Sequence, residues 1–186
     1  MTQLTLPLTT DRLLLRPHEK ADTSPLQRIY ARPDVARFLL EEPWTAEDAI
    51  ARVDERLTRT DLDGESEALA LVIEYDSATI GDIALWFTDK EHRMAEIGWV
   101  LDPEFGGQGF ATEAVHAVLE ASFEVYGLHR VSAQMDARNT ASARLASKVG
   151  MRREAHLRQN WWSKGEWTDT LVFAMLASDR PQRTAD

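Results

Sequence analysis

The stretch Glu96-Ile97-Gly98-Trp99-Val100-Leu101-Asp102-Pro103-Glu104-Phe105-Gly106-Gly107-Gln108-Gly109-Phe110-Ala111-Thr112-Glu113-Ala114 holds the residues whose types and spacing point most directly to chemistry. It reads as a strand, an Asp-Pro turn, a glycine loop and the start of a helix. Glycines let a backbone approach a ligand closely. The first turn of a helix offers unpaired N–H groups and a partial positive charge. Such a loop suits a phosphate or pyrophosphate. Its spacing excludes two common nucleotide sites. No Lys-Ser or Lys-Thr pair follows a glycine, so this is no Walker A loop. A Rossmann fingerprint needs a third glycine three residues after the second, and Thr112 stands there. Asp136, after the next strand, mimics the acid that binds a ribose. A plain strand-to-helix turn is the other reading of the loop.

The remaining reactive groups exclude more than they suggest. The chain has no Cys, which removes disulfides, Cys-based metal sites and a thiol nucleophile. His18, His92, His116, His129 and His156 show no ligand-like spacing, so no metal is expected. No Gly-x-Ser-x-Gly elbow is present, so a hydrolase has no support.

Positioning the loop requires an ordered set of elements. Arg12 to Arg16 reads as a short strand stopped by Pro17. Thr23 to Ala31 reads as a helix opening at Ser24 with Pro25 in its first position. Thr45 and Asp48 have the spacing of a helix cap, followed by an apolar stripe of Ala49, Ile50, Val53 and Leu57 that should fade near Asp61 to Gly64. Ala68 to Tyr75, Thr79 to Phe87 and Met94 to Leu101 alternate like strands of a meander. A helical period then runs from Ala111 to about Tyr126-Gly127. Arg130 to Met135 is a strand, and Asn139 to Val149 a helix closed by Gly150. Arg152 to Trp161 and Glu166 to Leu176 form a final hairpin around Ser163-Lys164-Gly165, and the tail Ser178 to Asp186 is expected to fray. Strands on both sides of single helices imply an α/β (α+β) domain with a mixed sheet, and no composition break suggests a second domain over residues 1–186.

Four ordered motifs make the loop more specific. Asp102-Pro-Glu-Phe-Gly-Gly-Gln-Gly-Phe-Ala-Thr-Glu-Ala114 resembles the acetyl-CoA pyrophosphate loop of the GNAT acetyltransferases, most closely their RimJ/RimL-type branch. The preceding Glu96 to Leu101 resembles that branch's central strand. Gly127-Leu-His-Arg-Val131, Asn139-Thr-Ala-Ser142 and Lys148-Val-Gly-Met151 resemble its next strand, helix start and helix end. Thr10-Asp-Arg-Leu-Leu-Leu-Arg16 resembles its opening strand. The resemblance covers residues 9–176. It implies a mostly antiparallel twisted sheet of about seven strands, splayed at its two central parallel strands and flanked by about four helices.

The resemblance also implies roles. Trp99, Val100 and Leu101 would pair with the pantetheine arm of acetyl-CoA, and an amide near Val100, after a bulge, would polarise the thioester carbonyl. Gly107, Gln108, Gly109, Phe110, Ala111 and Thr112 would hold the pyrophosphate. Gly106 stands where the superfamily often has Arg or Gln, which shifts the work to backbone amides. Asn139 would bond the pantetheine amides; its other reading is a helix cap. Ser142 would protonate the departing thiolate, or serve only as a small residue at a helix–sheet contact. The tyrosine that many relatives carry one turn later is Ala146 here. Glu96 would take the amine's proton, with Asp82 and Glu166 as substitutes. Arg144 and Lys148 would meet the nucleotide's 3′-phosphate or form a solvated helix face. Trp161, Trp162 and Trp167 would wall an acceptor pocket, fill core or make a subunit contact.

Charge bears on partners. The net charge is −10, but residues 1–126 hold 11 bases and 25 acids whereas residues 127–170 hold 8 and 4. The overall acidity argues against nucleic acid and against an anionic membrane surface. The longest apolar run, Leu171 to Ala177, is too short to span a bilayer. The opening residues lack a charged n-region and a long apolar segment, so a cytoplasmic protein is expected. The division suggests a basic cofactor flank and an acidic mouth that attracts cationic amines. The sequence thus leads to an N-acetyltransferase using acetyl-CoA on a small amine or a protein N-terminus, with a homodimer expected by analogy. Its alternatives are a non-catalytic acyl-CoA sensor on the same fold and a dinucleotide-binding α/β protein.

Overall fold

The computed structural model describes residues 4–180. Its strands are β1 (Leu8–Thr9), β2 (Leu14–Pro17), β3 (Thr60–Asp61), β4 (Ala68–Tyr75), β5 (Ala78–Asp89), β6 (Met94–Leu101), β7 (Arg130–Asp136), β8 (Arg152–Ser163) and β9 (Glu166–Leu176). Its α-helices are α1 (Thr23–Tyr30), α2 (Pro33–Ala36), α3 (Ala46–Arg56), α4 (Phe110–Glu124) and α5 (Thr140–Lys148). The sheet runs β1-β2-β4-β5-β6-β7-β9-β8, with β3 added beside β4. Every pairing is antiparallel except β6 with β7. The seven strands and four helices expected from sequence become nine and five through three short elements. Two-residue strands and a four-residue helix carry too few side chains to show a period.

The sheet opens where the motifs require it. β6 and β7 pair only at Met94–Arg130, Ala95–Val131 and Glu96–Ser132. Beyond Glu96 they part, yet β6 stays paired with β5 to Leu101 and β7 with β9 to Asp136. Each strand is therefore held from its outer side while the inner sides face a gap.

Two cores hold the two faces. Ala95 and Ile97 of β6 are buried with Phe110, Ala114, Val115, Val118 and Leu119 of α4. On the other face, Leu26, Ile29 and Tyr30 of α1 pack with Trp44 and with Ala49 and Val53 of α3, and Val100 leans on this cluster. The alternation of a strand explains the division: successive residues of β6 point to opposite faces.

Several boundaries move for local reasons. α1 starts at Thr23, running on from the 3-10 turn Lys20–Asp22, so the expected opening at Ser24-Pro25 falls inside the helix. α3 starts as expected: Thr45 accepts the Asp48 N–H, and Asp48 in turn accepts the Thr45 N–H. It ends at Arg56, before Thr60–Asp61 turn into β3. β2 begins at Leu14, because Arg12 is drawn to the glycine loop. Within the expected frayed tail, Ser178 and Asp179 belong to a 3-10 turn at Ala177–Asp179, where the Leu176 N–H donates to Asp179. The rest of that tail, residues 181–186, lies outside the described residues.

Candidate active site

A cleft of about 540 Å³ is lined by Trp99, Val100 and Leu101 on β6, by the glycine loop from Gly106 to Thr112, and by Asn139, Ser142, Arg144 and Lys148 at α5. Its remaining wall is the α2 segment, with Asp34, Val35, Phe38 and Leu39. The cofactor-binding residues singled out from sequence, Gln108 excepted, thus meet in one place. Gln108 lies behind the loop, in a shallower hollow with Arg12 and Glu113. Glu96 lies outside the cleft lining, at the point where β6 and β7 separate.

The loop is shaped by backbone conformation. Gly107 and Gly109 have φ of 75° and 86°. L side chains avoid this region, so glycine is required. Gly109 is the N-cap residue of α4, and the first-turn residues Phe110, Ala111 and Thr112, whose N–H groups have no partner within the helix, line the cleft. Gly106 is needed for a different reason: a Cβ there would lie 2.9 Å from the Pro103 carbonyl oxygen. That close approach explains why no Arg or Gln occupies this position.

Arg12 clamps the loop from outside. Its Nη1 donates to the Gln108 carbonyl at 3.0 Å and its guanidinium lies over the Phe110 ring. It also pairs with Glu113 at 2.7 Å, and Thr10 donates to the same carboxylate. An unpaired Glu113 in the first turn of α4 would repel an anion at that helix end. Pairing with Arg12 removes that repulsion. Sequence reading missed this latch because its partners stand about a hundred residues apart.

On α5, Asn139 Oδ1 accepts the Ser142 N–H at 3.1 Å. Asn139 is therefore a cap, and its amide NH₂ is left over for a ligand. The cap uses the amide of Ser142, not its hydroxyl, and Ser142 lines the cleft. Ala146 is fully buried and offers no acid. Arg144 and Lys148 both line the cleft, and among the described residues neither is in an ion pair.

β6 presents its groups with a definite parity. The pairing with β5 runs from Gly81–Leu101 to Phe87–Ala95 without a register shift; the irregularity lies beyond Phe87. No bulge falls near Val100, contrary to the expectation. The Asp102 N–H bonds the Ile80 carbonyl at 2.7 Å. Alternation along an antiparallel ladder then turns the N–H of Val100 toward β5 and those of Trp99 and Leu101 toward the gap. β5 and β6 also approach closely here: a Cβ on Gly81 would lie 2.2 Å from the Val100 oxygen. An isolated glycine within a strand is the sequence signal for such an approach.

The carboxylates sort by environment. Glu96 is half-buried; burial pushes its carboxyl above the ordinary range, opposed by a hydrogen bond from Gln134 Nε2 at 2.9 Å. Asp82 is buried and fully engaged. Tyr30 donates to one oxygen at 2.6 Å, while the His18 ring and Arg56 lie 3.3 and 2.7 Å from the other. Burial works to raise its pKa, but the Arg56 charge with the His18 and Tyr30 bonds holds it below the usual range. Arg56 Nη1 makes this contact as a charge pair without hydrogen-bond alignment, and is otherwise unpartnered. Asp82 has no free oxygen to serve as a base. Glu166 is bound to Arg138 at the start of β9. Trp161, Trp162 and Trp167 are about half exposed on the β8–β9 hairpin, outside both the core and the cleft lining. Among the described residues no group of three or more His, Asp or Glu could hold a metal, and no helix is long and apolar enough to cross a membrane.

A glycine cradle at a helix N-terminus, beside a splayed parallel pair, is the arrangement the motifs anticipated. The family model for the acetyltransferase (GNAT) domain matches residues 12–152. The chain belongs to the GNAT acetyltransferases. An uncharacterized N-acetyltransferase of Bacillus subtilis, YnaD, is 31% identical over 92% of this chain and 98% of its own. The spermidine N(1)-acetyltransferase of Vibrio cholerae is 25% identical over 90% and 94%. The structure of RimL, a ribosomal L7/L12 alpha-N-protein acetyltransferase in complex with coenzyme A, superposes with a TM-score of 0.81 at 18% identity, covering 91% and 97%; that likeness is one of fold. This GNAT enzyme is thus an acetyl-CoA-dependent acyltransferase. The residues present fit that cosubstrate: the cradle has space where side chains would stand, and two unpaired cations flank it.

Proposed function

We propose that the enzyme transfers the acetyl group to a primary amine by direct attack, on a small molecule or a protein N-terminus. The observation that carries this reading is the parting of β6 from β7 after Glu96, next to the Gly107–Gly109 cradle. Acetyl-CoA, when bound, supplies an activated thioester. The backbone from Gly107 to Thr112 would receive its pyrophosphate, with Arg144 and Lys148 at the remaining phosphate. Asn139 and the gap-facing amides of Trp99 and Leu101 would hold the arm and polarise the carbonyl. The oxyanion donor thus moves from Val100 to a neighbour.

Ser142 is assigned the proton for the leaving thiolate. Glu96 is assigned the amine's proton, and burial, by raising its pKa, makes it a stronger base than an ordinary glutamate. Four residues separate it from Val100, about 13 Å of strand at ~3.3 Å per residue. Glu96 therefore acts through water. The RimJ/RimL-type branch, a cytoplasmic site of action and a homodimer rest on the sequence motifs and belong to the same proposal.

The test is binding followed by turnover. Acetyl-CoA should raise the melting temperature, whereas NAD and ATP should not. Free coenzyme A should then appear with an amine present. A thiol reagent reads it without background, because the chain has no Cys. Binding without turnover of any amine would establish the acyl-CoA sensor instead.

A further inference from the structure

The cleft has a second half that the cofactor does not explain. Beyond the glycine loop its wall is the α2 segment, where Val35, Phe38 and Leu39 face the same space as Val100. Val35, Leu39 and Val100 lean on one small apolar cluster, that of Tyr30 and Trp44. The segment is not loose. Lys164, at the turn of the β8–β9 hairpin, donates to the Ala36 carbonyl at 2.9 Å and to the Leu39 carbonyl. An apolar surface is thus held across the mouth by a cation from the far end of the chain.

The acids at this mouth are committed. Among the described residues lining the cleft, the carboxylates are Asp34 and Asp102. Arg32 binds Asp34 at 3.1 Å and lies 3.7 Å from Asp102, which is only 2% exposed. Glu41, nearby in sequence, is taken by Arg52 at 2.6 Å. The other charges on the lining are the cations Arg144 and Lys148. The acidity of residues 1–126 therefore does not appear as free carboxylates in the cleft.

From this geometry we infer that the acceptor is a single primary amine carried on an apolar body, seated against Val35, Phe38 and Leu39, and not a polyamine. The inference rests on the acetyl-transfer reading of the cleft and names its substrate class. A polyamine brings several ammonium groups, and each one taken from water needs a carboxylate partner. The lining provides none unpaired. A lone amine against an apolar wall fares differently. The wall disfavours the charged form and so lowers the amine's pKa, which supplies the free base that attack requires. The same chemistry belongs to a small arylalkylamine and to a peptide with a hydrophobic N-terminal residue.

The test compares 2-phenylethylamine, a short peptide beginning with leucine, and spermidine, each read by coenzyme A release. One or both apolar amines should exceed spermidine at least ~10-fold in kcat/KM, and which one does so identifies the source. Phe38→Ala should lower kcat/KM for the preferred amine about 10-fold while calorimetry shows unchanged acetyl-CoA affinity. Phe38→Glu, at a half-buried position, should narrow the gap to spermidine by restoring a carboxylate. Preference for spermidine, or no effect of either substitution in protein that still binds acetyl-CoA, overturns the inference and leaves acetyl transfer standing. Loss of acetyl-CoA binding in the unmodified enzyme would instead overturn the underlying reading, and this one with it.

Discussion

The two halves of the cleft are built from different materials. The cofactor half is made of backbone. Its cradle depends on Gly107 and Gly109 at positive φ, on the N-terminus of α4 and on strand amides left unpaired by the splay. The acceptor half is made of side chains brought from three distant segments: the α2 turn, the β8–β9 turn and the Asp82 network. A backbone site tolerates drift in the residues around it, provided its glycines and its helix start persist. A side-chain site changes with single substitutions. One fold can thus keep a donor while its acceptor varies, as fold and function are separable.

The largest expected effect probes the foundation of the acceptor half. Asp82→Asn leaves the Arg56 charge buried without its partner. It should cost about 3 kcal/mol, the usual penalty for breaking a buried pair. At roughly 2–4 °C per kcal/mol this is a fall of ~6–12 °C in melting temperature. Because the Asp82 pKa is held low in the folded state, its contribution is full above the ordinary carboxylate range. It is lost as pH falls through the depressed value. The variant's stability should therefore converge on that of the parent in acid. A deficit that persists unchanged at low pH would show that packing, not charge, dominates this half.

Ser142→Ala asks whether the cofactor half carries chemistry beyond its backbone. We expect kcat to fall ~100-fold, within the range of general acid catalysis, with acetyl-CoA affinity unchanged by calorimetry. An unaltered kcat would reduce that half to a pure cradle and give the proton to water.

Arg12→Ala should loosen the cradle without touching the acceptor. The loss of the Gln108 and Glu113 contacts should raise KM for acetyl-CoA ~5-fold, about 1 kcal/mol, and leave KM for the amine as it was. Equal effects on both would dissolve the distinction between the halves.

The smallest effect on stability concerns the boundary between them. Glu96 has a raised pKa in the folded protein, so ionising it opposes folding. The stability associated with its neutral form is present below the unfolded pKa and declines as pH rises through the folded one. Glu96→Gln should slightly stabilise the protein at neutral pH. It should also remove the acid limb of the pH–rate profile. An unaltered limb would assign the base to another group.

Legibility followed the same division. Val100 was assigned to the thioester from its place in the motif, but the ladder parity turns its amide toward β5. Asn139 had two readings from spacing; the structure shows the cap, and the leftover NH₂ keeps the second open. Asp82 was a substitute base on residue type alone. Its three partners, His18, Tyr30 and Arg56, come from other elements and remove it from that role. Of the acids counted toward an acidic mouth, the two on the cleft lining, Asp34 and Asp102, both face Arg32, and counting charges does not reveal which are paired.

What the sequence determined by itself was the order of elements and the cofactor cradle. Hydrophobic period, capping pairs and positive-φ glycines are local, acting within a few residues of each other. What only the tertiary structure decided was the latch of Arg12 on the loop, the clamp of Lys164 on the α2 turn and the burial of Asp82. Each joins a side chain to a group some 25 to 130 positions away, and such meetings are set by sheet order and strand register. The acceptor is written in those meetings, which is why the sequence alone reached acetyl transfer and stopped at the amine.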